Sequence, residues 1–334
     1  MIERNQFEGL PPEAKARLRK RAQPTWVSPM LATLTEERFS REGWLFEPKL
    51  DGERCLAFRH GHELRLFSRN QKRLNERYPE IEAAFDRQVA DSFIADGEIV
   101  TFKDGVTSFA KLQQRMQVER PSAELLHRVP VWLYLFDLLY LGHYDTRQVP
   151  LRYRKELLRK AFNFQDPLRL TEHRETEGEA YYQQACRRHW EGVIAKNEES
   201  VYVSKRSRDW LKFKCRREQE FVIGGYTDPQ GRRIGFGALL LGYYRRGKLV
   251  YAGKVGTGFD TATLRRLSGY LTRLETATSP FAVDGLPQRG AHWVKPKLVA
   301  EIAFSEWTHK GKLRHPRFLG LRDDKSPKEV VREG

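Results

Sequence analysis

The sequence predicts an α+β protein with two domains, because the pattern of apolar residues changes once along the chain. From about Trp44 to Arg217, short runs typical of strands alternate with helical patterns. From Glu218 onwards strands predominate and one helix interrupts them, which is typical of a small β-barrel; an all-β sandwich is the alternative. The 334 residues suffice for two cores of ordinary size. We therefore expect an N-terminal arm, a larger domain and a smaller domain, over residues 1–28, 29–217 and 218–334.

The elements of the arm and the larger domain follow from the apolar spacing, which changes between period 2 and period 3.6. Strands are predicted at Trp44–Leu50, Cys55–Arg59, Glu63–Ser68, Phe93–Phe102, Val131–Tyr140, Val193–Lys196 and Trp210–Lys214. Helices are predicted at Pro12–Arg21, Glu80–Val89, Phe109–Val118, Leu151–Phe162 and Glu179–Trp190. The run Val131–Tyr140 is apolar throughout, which indicates a buried strand.

The smaller domain has strand patterns separated by turns, with Gly247 marking a tight turn between two of them. Its strands are predicted at Phe221–Tyr226, Ala238–Tyr244, Lys248–Lys254 and Val299–Trp307, and its helix at Thr261–Leu274.

The charge of the chain predicts a polyanionic partner. Lys and Arg number 60 against 44 acidic residues, which gives a net charge of +16 and a pI near 9.8. The basic residues are spread along the chain and interleaved with aromatic residues. Nucleic acid is therefore the first expectation and an anionic membrane surface the second.

The cysteines and the apolar runs exclude several classes of protein. Cys55, Cys186 and Cys215 are odd in number and widely spaced, so we expect neither a disulfide framework nor a zinc site, and a reducing compartment fits. The N-terminus lacks the apolar segment of a signal peptide, and no run approaches the 18 apolar residues of a membrane span.

The segment Lys49–Arg54 (KLDGER) lies between two predicted strands and carries the chemistry that we consider first. A lysine amine can attack the α-phosphate of a nucleotide and form a phosphoramidate, which divides one difficult phosphoryl transfer into easier steps. Because Asp-Gly is itself a turn signal, this motif alone also fits a simple hairpin loop. Further motifs are needed to decide.

Six such motifs follow in order: Ser68–Asn70 (SRN), Asp96–Glu98 (DGE), Leu135–Tyr140 (LFDLLY), Glu191–Lys196 (EGVIAK), Trp210–Lys214 (WLKFK) and Arg314–Lys325, which ends in RDDK. In the fifth motif, strand alternation directs Lys212 and Lys214 to one face, and Leu211 and Phe213 to the core.

From roughly Pro29 to Lys325, the order and spacing of these motifs resemble covalent nucleotidyltransferases, and within them ATP-dependent DNA ligases. The resemblance is strongest to the ligase module of bacterial end-joining (LigD-type) ligases. It implies a nucleotidyltransferase (adenylation) domain of ATP-grasp-like antiparallel sheets with helices, followed by an OB-fold domain. It also implies ATP as cofactor and AMP held covalently on Lys49. The AMP would pass to the 5′-phosphate of a nick, which the 3′-hydroxyl then seals.

The residues around the phosphates can be argued on chemical grounds beside the resemblance. The Lys49 amine must lose its proton before it attacks, and its ordinary pKa is about 10.4. The positive charges of Lys212, Lys214 and a metal ion would lower that pKa and neutralise the α-phosphate. Glu98 and Glu191 are candidate Mg²⁺ ligands, with Mn²⁺ as a substitute, because Mg²⁺ is bound by few carboxylates together with water and phosphate oxygens.

The resemblance assigns the nucleoside contacts. Phe136 is the candidate for stacking on adenine, Glu47 for accepting a hydrogen bond from its amino group, and Lys196 for a position near the phosphates. Arg54 and Arg69 can donate to ribose or phosphate, since arginine suits bidentate phosphate contacts.

The last motif and the loop after the predicted strand Glu63–Ser68 complete the resemblance. Arg322, Asp324 and Lys325 belong to the OB-fold domain, which in the family moves over the nucleotide and orients the pyrophosphate. After Arg69 the family often has a glycine followed two residues later by an acid, whereas this chain has 71–73 (QKR). The geometry of that loop is therefore expected to differ.

Two relatives of the same superfamily share the lysine motif, namely RNA ligases and mRNA-capping guanylyltransferases. A nucleic-acid-binding module without catalysis is an alternative of another class, which the joint presence of five residues disfavours: Lys49, Glu98, Glu191, Lys212 and Lys214. The expected partner is duplex DNA with nicks or ends, bound without sequence preference. The resemblance adds a Ku-like end-joining partner. We expect a monomer in the bacterial cytosol, associated with the nucleoid and with no membrane contact.

Overall fold

A computed structural model describes residues 7–215, 217–282, 286 and 290–333. The chain divides into two compact units, Met1–Cys215 and Arg216–Gly334. Residues 1–6 of the predicted arm, and Arg216 beside the predicted domain boundary, lie outside the described residues.

The first unit contains most of the predicted elements, within a few residues of their expected bounds. Its strands are β1 (Arg19–Lys20), β2 (Leu31–Leu34), β3 (Trp44–Lys49), β4 (Glu53–His60), β5 (Glu63–Ser68), β6 (Ser92–Val100), β7 (Phe102–Lys103), β8 (Val106–Thr107), β9 (Trp132–Leu141), β10 (Tyr144–Asp145), β11 (Leu168–Leu170), β12 (Arg174–Glu175), β13 (Gly192–Asn197) and β14 (Arg206–Lys214). Its helices are α1 (Pro12–Lys15), α2 (Pro79–Asp86), α3 (Phe109–Met116), α4 (Ala123–Arg128), α5 (Leu151–Ala161) and α6 (Gly178–Arg187), with a 3₁₀ turn at Asn75–Arg77.

The described part of the first unit contains two large, mostly antiparallel sheets and a small two-stranded sheet of β7 and β8. The first has the strand order β1-β10-β9-β6-β4-β5 with β11 beside β9, and the second has the order β12-β3-β13-β14-β2. One core lies between the first sheet and helices α2, α3 and α5, and another lies between the second sheet and α6. A third core joins the sheets, since it contains Leu56 and Phe136 from the first sheet and Trp210 from the second.

The N-terminal segment differs from its prediction. The helix predicted at Pro12–Arg21 ends at Lys15, because Arg19 and Lys20 pair with the short strand β10 and so extend the first sheet. Upstream of it, Phe7 and Leu10 are buried in the core that α2, α3 and α5 cover. The part of the predicted arm that the structure describes thus contributes to the first unit.

Among the described residues of the second unit, the main elements are a six-stranded sheet and one α-helix. Its strands are β15 (Glu218–Thr227), β16 (Leu239–Arg245), β17 (Lys248–Val255), β18 (Glu275–Thr276), β19 (Ala291–Ala303), β20 (Glu306–Trp307), β21 (Leu313–Arg314) and β22 (Arg317–Leu321). Its helix α7 covers Thr261–Arg273, and a 3₁₀ turn covers Pro327–Glu329. The sheet order is β17-β16-β15-β19-β18 with β22 beside β19, while β20 and β21 form a separate hairpin.

Within the second unit the helix prediction was accurate and the last strand prediction was not. α7 begins after Asp260, whose carboxylate accepts a hydrogen bond from the Thr263 backbone N–H at 2.7 Å and caps the helix. The predicted strand Val299–Trp307 is instead the end of the longer strand β19, followed by the separate hairpin of β20 and β21.

The cysteine prediction was wrong in its disulfide part, because Cys186 and Cys215 form a disulfide with their Cα atoms 5.2 Å apart. Cys186 belongs to α6 and Cys215 directly follows β14. The packing of α6 on the second sheet brings the two together, which their separation of 29 residues could not reveal. Cys55 is a buried free thiol.

Across the described ranges, the structure contains no helix long and apolar enough to cross a membrane.

Candidate active site

Strand register brings the predicted lysines into rows across the second sheet. β13 lies between β3 and β14 and is antiparallel to both, so that Lys49, Gly192 and Lys214 are direct neighbours in one row. Two more rows follow on the same face: Glu47–Ile194–Lys212 and Leu45–Lys196–Trp210. The alternate residues Phe46, Val193 and Phe213 are buried against α6. The predicted alternation in β14 is therefore correct. The apolar face packs against α6 and so holds the strands that carry the charged face in place.

Gly192 allows the two lysines of the first row to lie close together. Its φ is +152°, and a Cβ at this position would lie 2.0 Å from the carbonyl oxygen of Phe213. Any side chain here would force the two strands apart. Only glycine therefore fits between Lys49 and Lys214.

Lys49 forms an ion pair with Glu191, the residue before β13. The Lys49 side chain is 19% exposed and that of Glu191 is 10% exposed, so the pair is largely shielded from solvent. Burial, the largest influence, lowers the pKa of Lys49, and Lys214 lowers it too, but Glu191 and Asp51 outweigh them and the pKa is raised overall. The expectation of a lowered pKa for Lys49 is therefore wrong for this structure, because the ion pair with Glu191 outweighs the charge of Lys214.

The loop after Lys49 is fixed from two sides. Asp51 accepts a hydrogen bond from the Phe109 backbone N–H at 3.1 Å, and its own N–H donates to the Thr107 hydroxyl at 3.2 Å. A Cβ on Gly52 would lie 2.1 Å from the Ile99 carbonyl oxygen and 3.0 Å from Cγ of Glu98. The Asp-Gly pair of the motif therefore docks the loop against β6 and the start of α3.

Glu98 and Glu191 consequently flank the Lys49–Gly52 segment, Glu98 beside Gly52 and Glu191 against the Lys49 amine. No group of three or more His, Cys, Asp or Glu side chains with the geometry of a metal site occurs among the described residues. Two carboxylates are nevertheless suited to Mg²⁺, which takes the rest of its ligands from water and phosphate oxygens.

Glu47 is buried between two lysines and has both carboxylate oxygens engaged. Oε1 lies 2.6 Å from Nζ of Lys155, and Oε2 lies 2.6 Å from Nζ of Lys196. Burial raises the pKa of Glu47, but the two ammonium groups outweigh it and hold the pKa below its usual value. The pKa of Lys196 is lowered to about 8, with burial as the main cause. Glu47 is therefore held as an anion.

Arg54 belongs to a second buried network. Its Nε and Nη2 contact the two oxygens of Asp96 at 2.5 and 2.6 Å, and Nη2 also donates to the Met30 carbonyl at 3.2 Å. The Tyr202 hydroxyl donates to Asp96 at 2.6 Å. Asp96 thus binds the Nε–Nη2 edge of the guanidinium group that the sequence analysis assigned to ribose or phosphate.

Phe136 is 8% exposed and lies in the core that joins the two sheets. The Trp210 ring meets it edge to face at a centroid distance of 6.1 Å. The Arg54 guanidinium lies 4.7 Å and Nζ of Lys196 4.2 Å from the centre of the Phe136 ring. Two cations therefore surround the ring that was predicted to stack on adenine.

Arg69 lies in the turn that follows β5, directly after Ser68. Gln71 has a φ of +61° in this turn, the left-handed conformation that glycine adopts most easily. The backbone N–H of Ser68 donates to the Lys72 carbonyl at 2.9 Å. The loop thus closes as a tight turn although it lacks the glycine of the family pattern.

In the second unit, Arg322 and Asp324 form a two-pronged ion pair with both N–O distances at 2.8 Å. Arg322 also lies 3.3 Å from Glu301, and Lys325 lies 2.9 Å from Glu220. Asp324 is 1% exposed, whereas the Lys325 side chain is 17% exposed. Asp324 is therefore held inside the second unit and Lys325 is nearer its surface.

Lys155 was not singled out from the sequence, although a signal for it exists. The buried stripe of α5 has Leu151, Arg154, Lys155 and Leu158 at positions i, i+3, i+4 and i+7. Basic residues on such a stripe require buried partners, which are Asp137 for Arg154 and Glu47 for Lys155. Nothing in the local pattern identifies which acidic residues these are.

The fold and the lysine-rich sheet face define a covalent-nucleotidyltransferase type of architecture, and comparisons with known proteins agree. Residues 29–214 match the ATP dependent DNA ligase domain family, and residues 232–325 match the ATP dependent DNA ligase C terminal region. The chain therefore belongs to the ATP-dependent DNA ligases. This confirms the resemblance and the predicted class of a nucleotidyltransferase domain followed by an OB-fold.

Relatives from two bacteria are similar over most of this chain. This chain is 37% identical over 322 residues to the multifunctional non-homologous end joining protein LigD of Pseudomonas aeruginosa. The match covers 94% of this chain and 37% of that protein. This chain is 39% identical over 316 residues to LigD of Mycobacterium tuberculosis H37Rv. The match covers 92% of this chain and 40% of that protein. The chain thus spans about two fifths of the length of these relatives.

A solved structure described as mycobacterial DNA ligase D complexed with ATP and MES is also similar. It is 36% identical with a TM-score of 0.65, and the match covers 92% of this chain and 98% of that chain.

Proposed function

We propose that this chain is an ATP-dependent DNA ligase that carries AMP on Lys49 and seals nicks in duplex DNA. The observation that carries the proposal is the row Lys49–Gly192–Lys214, with Glu191 against the Lys49 amine. A nucleophilic amine, a second cation for the phosphate and a carboxylate that controls the proton are the groups that attack on an α-phosphate requires.

In the first step, the transfer of AMP from ATP to Lys49, each of these residues has a separate role. The neutral Lys49 amine attacks the α-phosphorus, the N–P bond forms, the bond to pyrophosphate breaks, and one proton leaves the nitrogen. Lys214 and Lys212 lie on the same sheet face and stabilise the negative charge of the transferred group. Mg²⁺, held by Glu98 and Glu191, would neutralise further phosphate charge when bound. When Glu191 turns away from Lys49, the pKa of the amine falls and the nucleophile becomes available.

DNA as the substrate is supported by the family and by the net charge of +16. Binding to phosphates releases counterions, so the affinity for a duplex should fall with salt by a log–log slope of about −0.9 per neutralised phosphate. The names of the LigD relatives support a role in bacterial end joining. A Ku-like partner and a place beside the nucleoid are part of this proposal.

Sealing assays test the proposal. The protein is incubated with Mg²⁺ and either ATP or GTP, together with a duplex that carries one nick in DNA or in RNA. We expect sealing of the DNA nick with ATP, no sealing by Lys49→Arg, and normal sealing by Lys103→Ala, which alters an exposed lysine of β7. Preference for GTP would indicate a capping-type enzyme, and preference for the RNA nick would indicate an RNA ligase. Either result would contradict the proposal.

A further inference from the structure

Lys155 is a buried lysine that no step of the proposed reaction uses. Its Nζ lies 2.6 Å from Glu47 and donates to the Thr171 carbonyl at 3.1 Å, and the side chain is only 5% exposed. The other oxygen of Glu47 is held by Lys196, so two ammonium groups share one carboxylate. Pairing of one lysine would suffice to satisfy Glu47, and burying a second cation is costly. The arrangement therefore calls for an explanation beyond packing.

We propose that Lys155 is a positioning residue that fixes Glu47 so that the enzyme distinguishes adenine from guanine. The inference rests on the proposed function, because it concerns the nucleotide that Lys49 accepts. Glu47 is two residues before Lys49 on β3 and on the same sheet face, which places it one row away from the nucleophile.

The chemistry of the two bases explains how a fixed carboxylate discriminates. A carboxylate has about four lone-pair sites, and the two lysines use one on each oxygen, so acceptor capacity remains. We assign Lys196 to the base and no longer to the phosphates, because its Nζ lies 2.6 Å from Glu47, so that Glu47 and Lys196 present an acceptor beside a donor. The edge of adenine presents an amino donor beside the N1 acceptor and matches this order. Guanine presents the O6 acceptor beside the N1–H donor, which is the reverse order.

Lys155 maintains that order because it holds the oxygen that Lys196 does not contact. Without Lys155, the carboxylate is held from one side only and can rotate about its side-chain torsions. The acceptor and the donor then no longer have fixed places, and either base can be accommodated. The Phe136 and Trp210 rings, each centred 4.2 Å from Nζ of Lys196, keep that amine in place independently of Lys155.

The test uses three variants of the full chain. Lys155→Met removes the charge at similar length, Lys155→Gln keeps a shorter neutral donor, and Lys160→Met is the matched control on the exposed side of the same helix. The rate of protein–AMP or protein–GMP formation is measured against the concentration of ATP or GTP. The sealing of a nick with a pre-adenylated 5′-end is measured separately, because it requires the fold but no free nucleotide.

For Lys155→Met we expect the KM for ATP to rise about tenfold to a hundredfold, as for loss of a hydrogen bond to a charged group. The preference for ATP over GTP should fall by a similar factor, with little change in kcat and a smaller loss in sealing of the pre-adenylated nick, because there the adenylate is already attached to the bound DNA. Lys155→Gln should give a smaller change in the same direction, and it decides the question if Lys155→Met does not fold. Lys160→Met should behave as the unsubstituted protein does.

An unchanged nucleotide preference in both Lys155 variants would overturn the inference and leave the proposed function intact. Equal losses in adenylation and in sealing of the pre-adenylated nick would also overturn it, since they indicate a role in folding alone. If the unsubstituted protein formed no adduct with ATP, the proposed function would fail first and this inference with it.

Discussion

Lys49 and Glu191 form an ion pair that holds the candidate nucleophile as a charged amine. Burial and Lys214 act to lower the pKa of Lys49, yet the carboxylates of Glu191 and Asp51 raise it overall. The raised pKa favours the protonated amine in this structure, and we expect attack to require that Glu191 withdraw from Lys49. A carboxylate drawn towards a metal ion at the phosphates would do so, which connects metal binding to activation of the lysine.

Glu191→Ala is expected to reduce Mg²⁺-dependent adenylation far more than DNA binding. Loss of a metal-binding carboxylate should reduce the adenylation rate by about 10–100-fold or more, while a single carboxylate contributes little to attracting a duplex. The adenylation rate is measured against Mg²⁺ concentration, and duplex affinity is measured separately. Glu42→Ala, at an exposed position, serves as control. Equal losses in rate and affinity, or an unchanged rate, would argue against a metal role for Glu191.

Gly192→Ala should destabilise the second sheet and abolish adenylation. Its new Cβ would lie 2.0 Å from the Phe213 carbonyl oxygen, and overpacking of this kind costs about 1–3 kcal/mol. Gly269→Ala is the matched control, since Gly269 lies on α7 with no atom within 4 Å of the added Cβ. That change should stabilise the protein by up to about 1 kcal/mol. Denaturant unfolding measures both, and a Gly192→Ala protein of normal stability and activity would refute the close approach of the strands.

The Cys186–Cys215 disulfide should stabilise the first unit. Closing a loop of 29 residues contributes about 2–4 kcal/mol to the free energy of unfolding. Reductant should therefore lower the stability of the unsubstituted protein by that amount and leave Cys186→Ser unaffected. Mass spectrometry of the unreduced protein tests the bond directly. Free thiols at both Cys186 and Cys215 after oxidation would show that the bond does not form, and equal sensitivity of both proteins to reductant would show that it contributes nothing.

The structure separates two residues of the final motif that the sequence grouped together. Lys325→Ala removes a partly exposed side chain and should preserve the fold. Asp324→Ala leaves the buried Arg322 without its main partner and should lower stability by about 3–5 kcal/mol. If the second unit contributes Lys325 to the adenylation step, Lys325→Ala should fail on a plain nick with ATP and still seal a pre-adenylated one. Equal failure on both nicks would assign Lys325 to DNA binding instead.

The sequence predicted the element pattern well because apolar spacing is a local property. The helix α7 and the strands β3, β4 and β5 were located within a few residues for this reason, although β3 belongs to a different sheet from β4 and β5. The pairing of distant strands is not local, and so the row Lys49–Gly192–Lys214 could not be derived from spacing. The same applies to the disulfide, which depends on how α6 packs on the second sheet.

The sequence indicated which residues are candidates for the site, but it did not indicate the residues with which they form ion pairs. Glu47 was assigned to adenine, yet its two lysine partners come from α5 and β13 and become evident only in the folded chain. Arg54 likewise pairs with Asp96 of the neighbouring strand β6, which is two residues from Glu98, the residue directly opposite Arg54. Ion pairs inside a core are set by tertiary packing, which local periodicity does not specify.

Peptide mapping by mass spectrometry shows which residue carries AMP and so tests the assignment of Lys49. The protein is incubated with ATP and Mg²⁺, digested, and searched for a peptide that carries one AMP. We expect AMP on Lys49 in the unsubstituted protein and in Lys103→Ala, and no adduct in Lys49→Arg. An adduct on another residue, or one that persists undiminished in Lys49→Arg, would show that Lys49 is not the nucleophile.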